Sequence, residues 1–136
     1  MNVEKKIKES VYRRYFQENY GYYGFTSCKY HNIGYDYTLT SMNGDSIYAE
    51  LETTPRHYIT HCHHFWEDFK KVSLLIVGES ETPKRKKLFK RFNLLPPNIM
   101  YINQDHFNRW AKDTNSEKRV AIKIGEGINK WKNLKQ

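Results

Sequence analysis

Three carboxylates on a predicted hairpin have the chemical type and the spacing to hold a divalent metal ion. Asp36 lies on the first strand of the stretch 34–54, and Glu50 and Glu52 lie on the second. Because side chains alternate between the faces of a strand, Glu50 and Glu52 share one face. Charges among apolar and aromatic neighbours need a compensating partner, and carboxylate oxygens suit a hard divalent cation. We therefore expect a metal site on this hairpin.

The length of the hairpin loop decides whether Asp36 joins the two glutamates. A two-residue loop places Asp36 on the opposite face of the hairpin. A three-residue loop over 42–44, which ends in a glycine suited to the left-handed conformation, pairs Ser41 with Asp45 and places Asp36 opposite Glu50. We predict this loop or an equivalent bulge, because only that register gathers the carboxylates.

An Asp on one strand followed by Glu-x-Lys on the next is typical of the PD-(D/E)XK, restriction-endonuclease-like nucleases. The chain resembles this family through Asp36, Glu50 and Glu52, with Glu52 where the family has its lysine. Some family members that carry Glu there are active, and others that lost the lysine are inactive. The resemblance covers about residues 1–103 and implies an α/β fold, with a central mixed sheet flanked by helices.

The resemblance implies a phosphodiesterase that uses Mg²⁺ or Mn²⁺. The implied metal ligands are Asp36, Glu50, Glu52 and the backbone carbonyl of Leu51. Glu52 could instead act as the general base, and His57 could handle the proton or supply the charge of the missing lysine. A glutamate of the first helix, Glu4 or Glu9, could also help to hold the metal, although a solvated helix face explains both more simply. Without metal, the clustered acids should repel one another and raise at least one pKa.

The 136-residue chain has the size of one domain and a net charge of +8. The positive charge favours an anionic partner, and we expect nucleic acid, DNA before RNA. The sequence contains no signal-peptide pattern and no apolar run long enough to cross a bilayer, so we expect a cytoplasmic protein. Cys28 and Cys62 are expected to be reduced. The resemblance further implies a homodimer.

Basic residues concentrate in two predicted helices. They form the predicted nucleic-acid-binding set: Lys84, Arg85, Lys86, Lys87, Lys90 and Arg91, with Arg13 and Arg14 from the first helix. Contact with the phosphate backbone is one interpretation of the dense run over 84–91. A solvated helix face is the other, and the sequence favours neither.

Imidazoles recur at helical spacing after the hairpin. His57, His61, His64 and Asp68 would line one face of a helix over 55–71. Such a row could bind zinc or nickel, but a surface row of histidines is the simpler explanation. On the opposite face we expect core residues, namely Ile59, Cys62, Trp66 and Phe69.

Periodicity and turn residues divide the chain into alternating helices and strands. The predicted elements are helices over 2–19, 55–71, 84–92 and 105–112, strands over 22–30, 72–77, 99–102 and 118–124, and the hairpin over 34–54. We expect a single domain over 1–136, with about 125–136 as a basic tail or short helix. Aromatic residues make up 15% of the chain, so the core should be rich in rings.

Three functions are compatible with these patterns. The first is a metal-dependent nuclease. The second is a nucleic-acid-binding protein that retains the nuclease fold without activity, and the third is a metal-binding or protein-interaction module built on the histidine row. Cleavage assays with Mg²⁺ or Mn²⁺ separate the first from the second, and zinc uptake through His57 and His61 would identify the third.

Overall fold

The computed structural model describes residues 7–61, 63 and 67–123. In chain order these form α1 (Glu9–Asn19), a 3₁₀ helix (Tyr20–Tyr23), β1 (Phe25–Tyr30), β2 (Tyr37–Ser41), β3 (Ser46–Glu52), α2 (Pro55–Thr60), a 3₁₀ helix (Glu67–Lys71), β4 (Leu74–Val77), α3 (Pro83–Arg91), β5 (Asn98–Tyr101) and α4 (Gln104–Lys123). In this part of the chain, none of the helices combines the length and apolarity that crossing a membrane requires. Cys28 is a free thiol, and Cys62 lies outside the described residues.

The five strands form one sheet in the order β1-β2-β3-β4-β5. The first three strands are antiparallel, whereas β4 runs parallel to β3 and β5 runs parallel to β4. Parallel neighbours need crossover connections, and the segments that contain α2 and α3 provide them. This mixed sheet flanked by helices confirms the predicted α/β class.

The β2–β3 hairpin has the register that the three-residue loop predicted. Thr40 pairs with Ser46, and the N–H of Ser41 donates to the carbonyl of Asp45 at 2.9 Å. Gly44, the last loop residue, has φ = +90°, a conformation that glycine adopts without a steric penalty. Local turn chemistry therefore fixes which residues of the two strands lie opposite each other.

The helix α1 covers the sheet with aromatic side chains. Tyr12, Tyr15 and Phe16 are almost fully buried and pack in one cluster with strand residues and with Phe107 of α4. The core is rich in rings, as the composition predicted. The helix was predicted from residue 2, but α1 begins at Glu9 and residues 7 and 8 are not helical. Residues 1–6 lie outside the description.

The predicted helix over 55–71 is wrong. α2 ends at Thr60, and a 3₁₀ helix occupies Glu67–Lys71. β-branched, aromatic and histidine residues crowd the end of α2, and these have weaker helix propensity than Ala or Leu. The hydroxyl of Thr60 also donates to the carbonyl of His57 at 3.2 Å, a local bond that often bends helices. Of the predicted core positions, Phe69 is buried and Ile59 is half-buried; Cys62 and Trp66 lie outside the description.

The predicted strand over 118–124 is also wrong, because α4 continues to Lys123. The alternating apolar residues of this segment stand among strong helix formers such as alanine, lysine, arginine and glutamate, whose helix propensity prevails. Asn103 caps the helix, since its side chain accepts the N–H of His106 at 2.9 Å. The segment 125–136, predicted as a tail or short helix, lies outside the described residues.

The other predicted elements differ from the structure only at their ends. β4, α3 and β5 form where the sequence placed them, and Thr82 caps α3 by accepting the N–H of Arg85. β1 begins at Phe25 instead of Tyr22, because Tyr20–Tyr23 forms a 3₁₀ helix that ends at Gly24 in a left-handed conformation.

A close approach between α1 and the end of β4 requires Gly78. A Cβ atom at this position would overlap the buried ring of Tyr12. We expect Gly78→Ala to destabilise the protein by about 1–3 kcal/mol, the usual cost of overpacking a core. Urea unfolding measures the change, with Gly21→Ala as the matched control because its Cβ would meet no atom within 4 Å. Equal stabilities of the two variants would contradict the assigned contact.

Candidate metal centre

Asp36 and Glu50 meet just beyond the paired part of the hairpin. Tyr37, the first residue of β2, pairs with Ala49. The same register, continued by one residue, places Asp36 opposite Glu50. The N–H of Asp36 donates to Oε1 of Glu50 at 2.8 Å, and Oδ2 of Asp36 accepts the N–H of Leu51 at 2.9 Å. Both acids are about 95% buried or more. The predicted register thus brings the two carboxylates together inside the protein.

His63 connects Glu50 to Glu52. Its Nδ1 atom lies 2.8 Å from Oε2 of Glu50 and 3.1 Å from Oε2 of Glu52. Glu52 is only 1% exposed. Asp36, Glu50 and Glu52 therefore belong to one buried cluster, which contains an imidazole that the sequence did not assign to it.

The early end of α2 allows His63 to reach the acids. The helix stops at Thr60, and His61 and His63 then lie against Glu52 of β3. The ring of His63 then stacks on Phe69, with centroids 4.2 Å apart and planes 9° from parallel, and meets the edge of Tyr58. His63 was missed from the sequence, because a continuous helix over 55–71 would place His57, His61 and His64 on one face and His63 off that face. The run of three histidines over 61–64 was the available signal.

The helix α1 adds an acid and a base to the cluster. Nη2 of Arg13 lies 2.8 Å from Oε2 of Glu9 and 3.1 Å from Oδ1 of Asp36. Glu9 also contacts Glu52. Glu9 is therefore the glutamate of the first helix that reaches the site, whereas Glu4 lies outside the described residues. Arg13, which is predicted to contact nucleic acid, lies against the carboxylates of Glu9 and Asp36.

Burial and crowding shift the pKa values of the cluster. Burial, and then contact with Glu52, raises the pKa of Glu9 to about 8. Burial and the neighbouring Asp36 raise the pKa of Glu50 to about 7, although His63 opposes the shift. Burial opposes protonation of His63, but the contacts with Glu50 and Glu52 raise its pKa to about 9. At least one raised carboxyl pKa, expected from the sequence, is thus present.

We expect the metal-free protein to lose stability as the pH rises from about 4.5 to about 9. Glu9, Glu50 and His63 have folded-state pKa values above their ordinary values, so the folded state binds more protons than the unfolded state. Their stabilising contributions are complete below the unfolded pKa values and disappear above the folded ones. Burial opposes ionisation of Glu52, but contacts with His63, Glu9 and His61 lower its pKa. The contribution of Glu52 to the pH dependence of stability therefore falls at lower pH, outside this range.

Urea unfolding of EDTA-treated protein across this pH range measures the effect. In Glu9→Gln, one titrating group is absent, so stability should depend less steeply on pH. A stability that rises with pH over the same range would contradict the assigned pKa shifts.

The structure describes two members of the predicted histidine row, His57 and His61. Nδ1 of His61 lies 3.1 Å from both carboxylate oxygens of Glu52. The ring centroids of His61 and His57 are 5.8 Å apart. Nδ1 of His57 instead contacts the hydroxyl of Thr54 at 3.0 Å. His64 and the side chain of Asp68 lie outside the description.

A cavity of about 350 Å³ adjoins the acid cluster. It is lined by Glu9 of the cluster, by His57 and by residues of both charges around them: Ile7, Lys8, Thr53, Thr54, Arg56 and Glu79. His57 therefore lies on the wall of this cavity rather than among the carboxylates. The cavity gives a ligand a place beside Glu9.

The cluster contains two kinds of metal-ligating atom. Asp36, Glu50 and Glu52 carry carboxylate oxygens, the ligand type that Mg²⁺ and Mn²⁺ prefer, while Arg13 already pairs with Asp36 and His63 lies against both glutamates. Glu52, His61 and His63 offer one oxygen and two nitrogens within 4.8 Å of one another. The predicted carbonyl ligand belongs to Leu51, whose N–H bonds to Asp36.

The predicted nucleic-acid-binding residues of α3 are all exposed. Three of them have partners within the described residues. Arg85 pairs with the buried Glu81 at 3.1 Å, Nζ of Lys86 lies 5.4 Å from the centre of the Tyr101 ring, and Cζ of Arg91 lies 5.5 Å from the centre of the Phe92 ring. Arg14 of α1 pairs with Glu18 at 3.1 Å. The basic face of α3 is therefore available to an anionic partner.

Comparison of the chain with protein-family models, curated proteins and solved structures found no match. The likeness to restriction-endonuclease-like nucleases stays a hypothesis, carried by Asp36, Glu50 and Glu52 and by the sheet that positions them.

Proposed function

We propose that the protein is a metal-dependent nuclease that hydrolyses phosphodiester bonds, with DNA as the first substrate to test. The convergence of Asp36, Glu50 and Glu52 in one buried cluster is the observation that carries this proposal. Burying three acids is costly without compensating charge, and a divalent ion would add to the positive charge that Arg13 and His63 bring to them. The mixed sheet and the register of the hairpin support the resemblance from which the proposal began.

Asp36 and Glu50 would hold Mg²⁺ or Mn²⁺, with Glu52 and the carbonyl of Leu51 as further ligands. When bound, such an ion neutralises charge on a phosphate and makes a water molecule more acidic. The hydrogen bond from the N–H of Leu51 fixes the orientation of the Asp36 carboxylate. Arg13 balances the negative charge of Asp36 and Glu9 and can attract a phosphate to the same place.

The cavity beside Glu9 offers a route for the nucleic-acid backbone. Lys8 and Arg56 contribute positive charge to its wall and can neutralise neighbouring phosphates. His57 lies on the same wall, and its Nδ1 is engaged with Thr54. Nε2 of His57 is therefore the atom that we expect to exchange a proton with the reacting group.

A cleavage screen tests the proposal. The EDTA-treated full chain is incubated with linear duplex, single-stranded and branched DNA and with RNA, each with Mg²⁺, with Mn²⁺ or without metal. Cleavage of at least one substrate only in the presence of a divalent ion is the expected result. No cleavage of any substrate with either ion would overturn the proposal.

The presence of Glu52 in place of the family's lysine favours a second candidate, a nucleic-acid-binding protein without activity. Such a protein would bind with salt-sensitive affinity and would not cut. If Lys86 and Lys90 contact duplex phosphates, replacing both with Gln should reduce the slope of log affinity against log salt by about 0.9 per contact.

Fluorescence anisotropy measures this slope on a labelled duplex. Lys70→Gln is the matched control, because Lys70 is an exposed lysine that pairs with Glu67 at 2.7 Å. Equal slopes for the wild type and the Lys86→Gln/Lys90→Gln variant would exclude α3 from the interface.

A further inference from the structure

Glu52, His61 and His63 present three metal-ligating side chains at one point, and two of them are imidazoles. Nδ1 of His61 and Nδ1 of His63 each lie 3.1 Å from Oε2 of Glu52. One donor atom from each residue lies within 4.8 Å of the others. Ligands bound about 2.0–2.2 Å from a single tetrahedral ion are separated by about 3.4 Å, so small side-chain movements complete the geometry.

We propose that Glu52, His61 and His63 form a second cation site, which takes a divalent transition metal of the zinc class. Imidazole nitrogen is a preferred ligand of zinc, cobalt and nickel, whereas magnesium selects oxygen ligands. Three protein ligands leave a fourth position of a tetrahedral ion for water or substrate. This site goes beyond the nuclease proposal, because it concerns nitrogen ligands and exists whether or not the protein cuts nucleic acid.

The surroundings hold the two imidazoles in place before any metal binds. The ring of His63 packs against two aromatic neighbours, with Phe69 stacked on one face at 4.2 Å and Tyr58 in a T-shaped contact at 5.4 Å. The ring of His61 lies 5.5 Å from that of His63. Glu52 is fixed by its position in β3 and is 1% exposed, while the His61 side chain is 48% exposed. The site is thus rigid on its inner side and open to solvent at His61.

The site also adjoins the oxygen-rich part of the cluster. Nδ1 of His63 lies 2.8 Å from Glu50, which is hydrogen-bonded to Asp36. His63 therefore links Glu50 to the site formed by Glu52, His61 and His63. Two neighbouring metal ions are a recurring arrangement in enzymes that act on phosphate esters.

Zinc titration of the EDTA-treated full chain tests the proposal directly. Isothermal titration calorimetry should show one zinc ion per chain, and Co²⁺ in its place should give the visible absorption of a four-coordinate complex. We expect His61→Ala to weaken zinc binding at least tenfold. His61 is the ligand to replace first, because it is the exposed member of the site and its loss leaves the buried contacts of His63 intact.

His57→Ala is the matched control, since His57 stacks beside His61 but contacts Thr54 rather than Glu52. Its zinc affinity should equal that of the wild type. The proposal is overturned if no one-to-one zinc complex forms, if His61→Ala binds zinc as tightly as the wild type, or if His57→Ala loses as much affinity as His61→Ala. None of these outcomes depends on nuclease activity, so a failed cleavage screen leaves the zinc result interpretable.

Discussion

Asp36→Asn is expected to reduce metal-dependent cleavage by at least about a thousandfold while the protein remains folded. Asparagine retains an oxygen that can accept the N–H of Leu51, so the local hydrogen bond at β3 survives. It removes the negative charge that would hold the metal ion and that now faces Arg13. Initial rates on the substrate found by the screen measure the loss, and circular dichroism monitors folding.

Asp45→Asn is the matched control for this variant. Asp45 lies on the same hairpin but is exposed beside the loop, away from the carboxylate cluster. It should cut at the wild-type rate. A folded Asp36→Asn protein that cuts as fast as the wild type would show that cleavage occurs without this carboxylate.

His63→Ala is expected to destabilise the metal-free protein by about 3–5 kcal/mol at neutral pH, the usual cost of removing one partner of a buried ion pair. His63 is the imidazole that lies between Glu50 and Glu52, whose side chains are 4% and 1% exposed. Without it, two buried carboxylates lose their positive neighbour. Because protonation neutralises the acids, the loss should shrink as the pH falls toward about 4.

Urea unfolding of His63→Ala and His57→Ala provides the comparison. Within the described part of the chain, the His57 side chain has one polar contact, with the hydroxyl of Thr54, so its removal should cost about 1 kcal/mol or less. Similar stabilities of the two variants would mean that His63 does not compensate the buried acids.

The parts of the site that depend on local geometry could be predicted from the sequence. The three-residue loop that ends at Gly44 determines the register of β2 and β3, and this register alone places Asp36 beside Glu50. The buried strand β4 and the capped helix α3 were equally readable, because a continuous apolar run and a Thr-Pro start are local signals.

The parts that depend on tertiary contacts could not be predicted. His63 reaches Glu50 only because α2 stops at Thr60, and helical periodicity gives no indication of that stop. Arg13 looked like one basic residue among many, yet it meets Asp36 across 23 positions of sequence. Apolar and polar residues alternate near the end of α4 as they do in a strand, but the helix propensity of its other residues prevailed over that pattern.

Binding of Mn²⁺ tests the central claim most directly, namely that Asp36 and Glu50 belong to a divalent cation site. Paramagnetic resonance of free Mn²⁺ measures the affinity, in a His61→Ala background that lacks one ligand of the second site. We predict that adding Asp36→Asn weakens Mn²⁺ binding at least tenfold, whereas adding Asp45→Asn leaves it unchanged. Equal Mn²⁺ affinity with and without the Asp36 carboxylate would contradict the account.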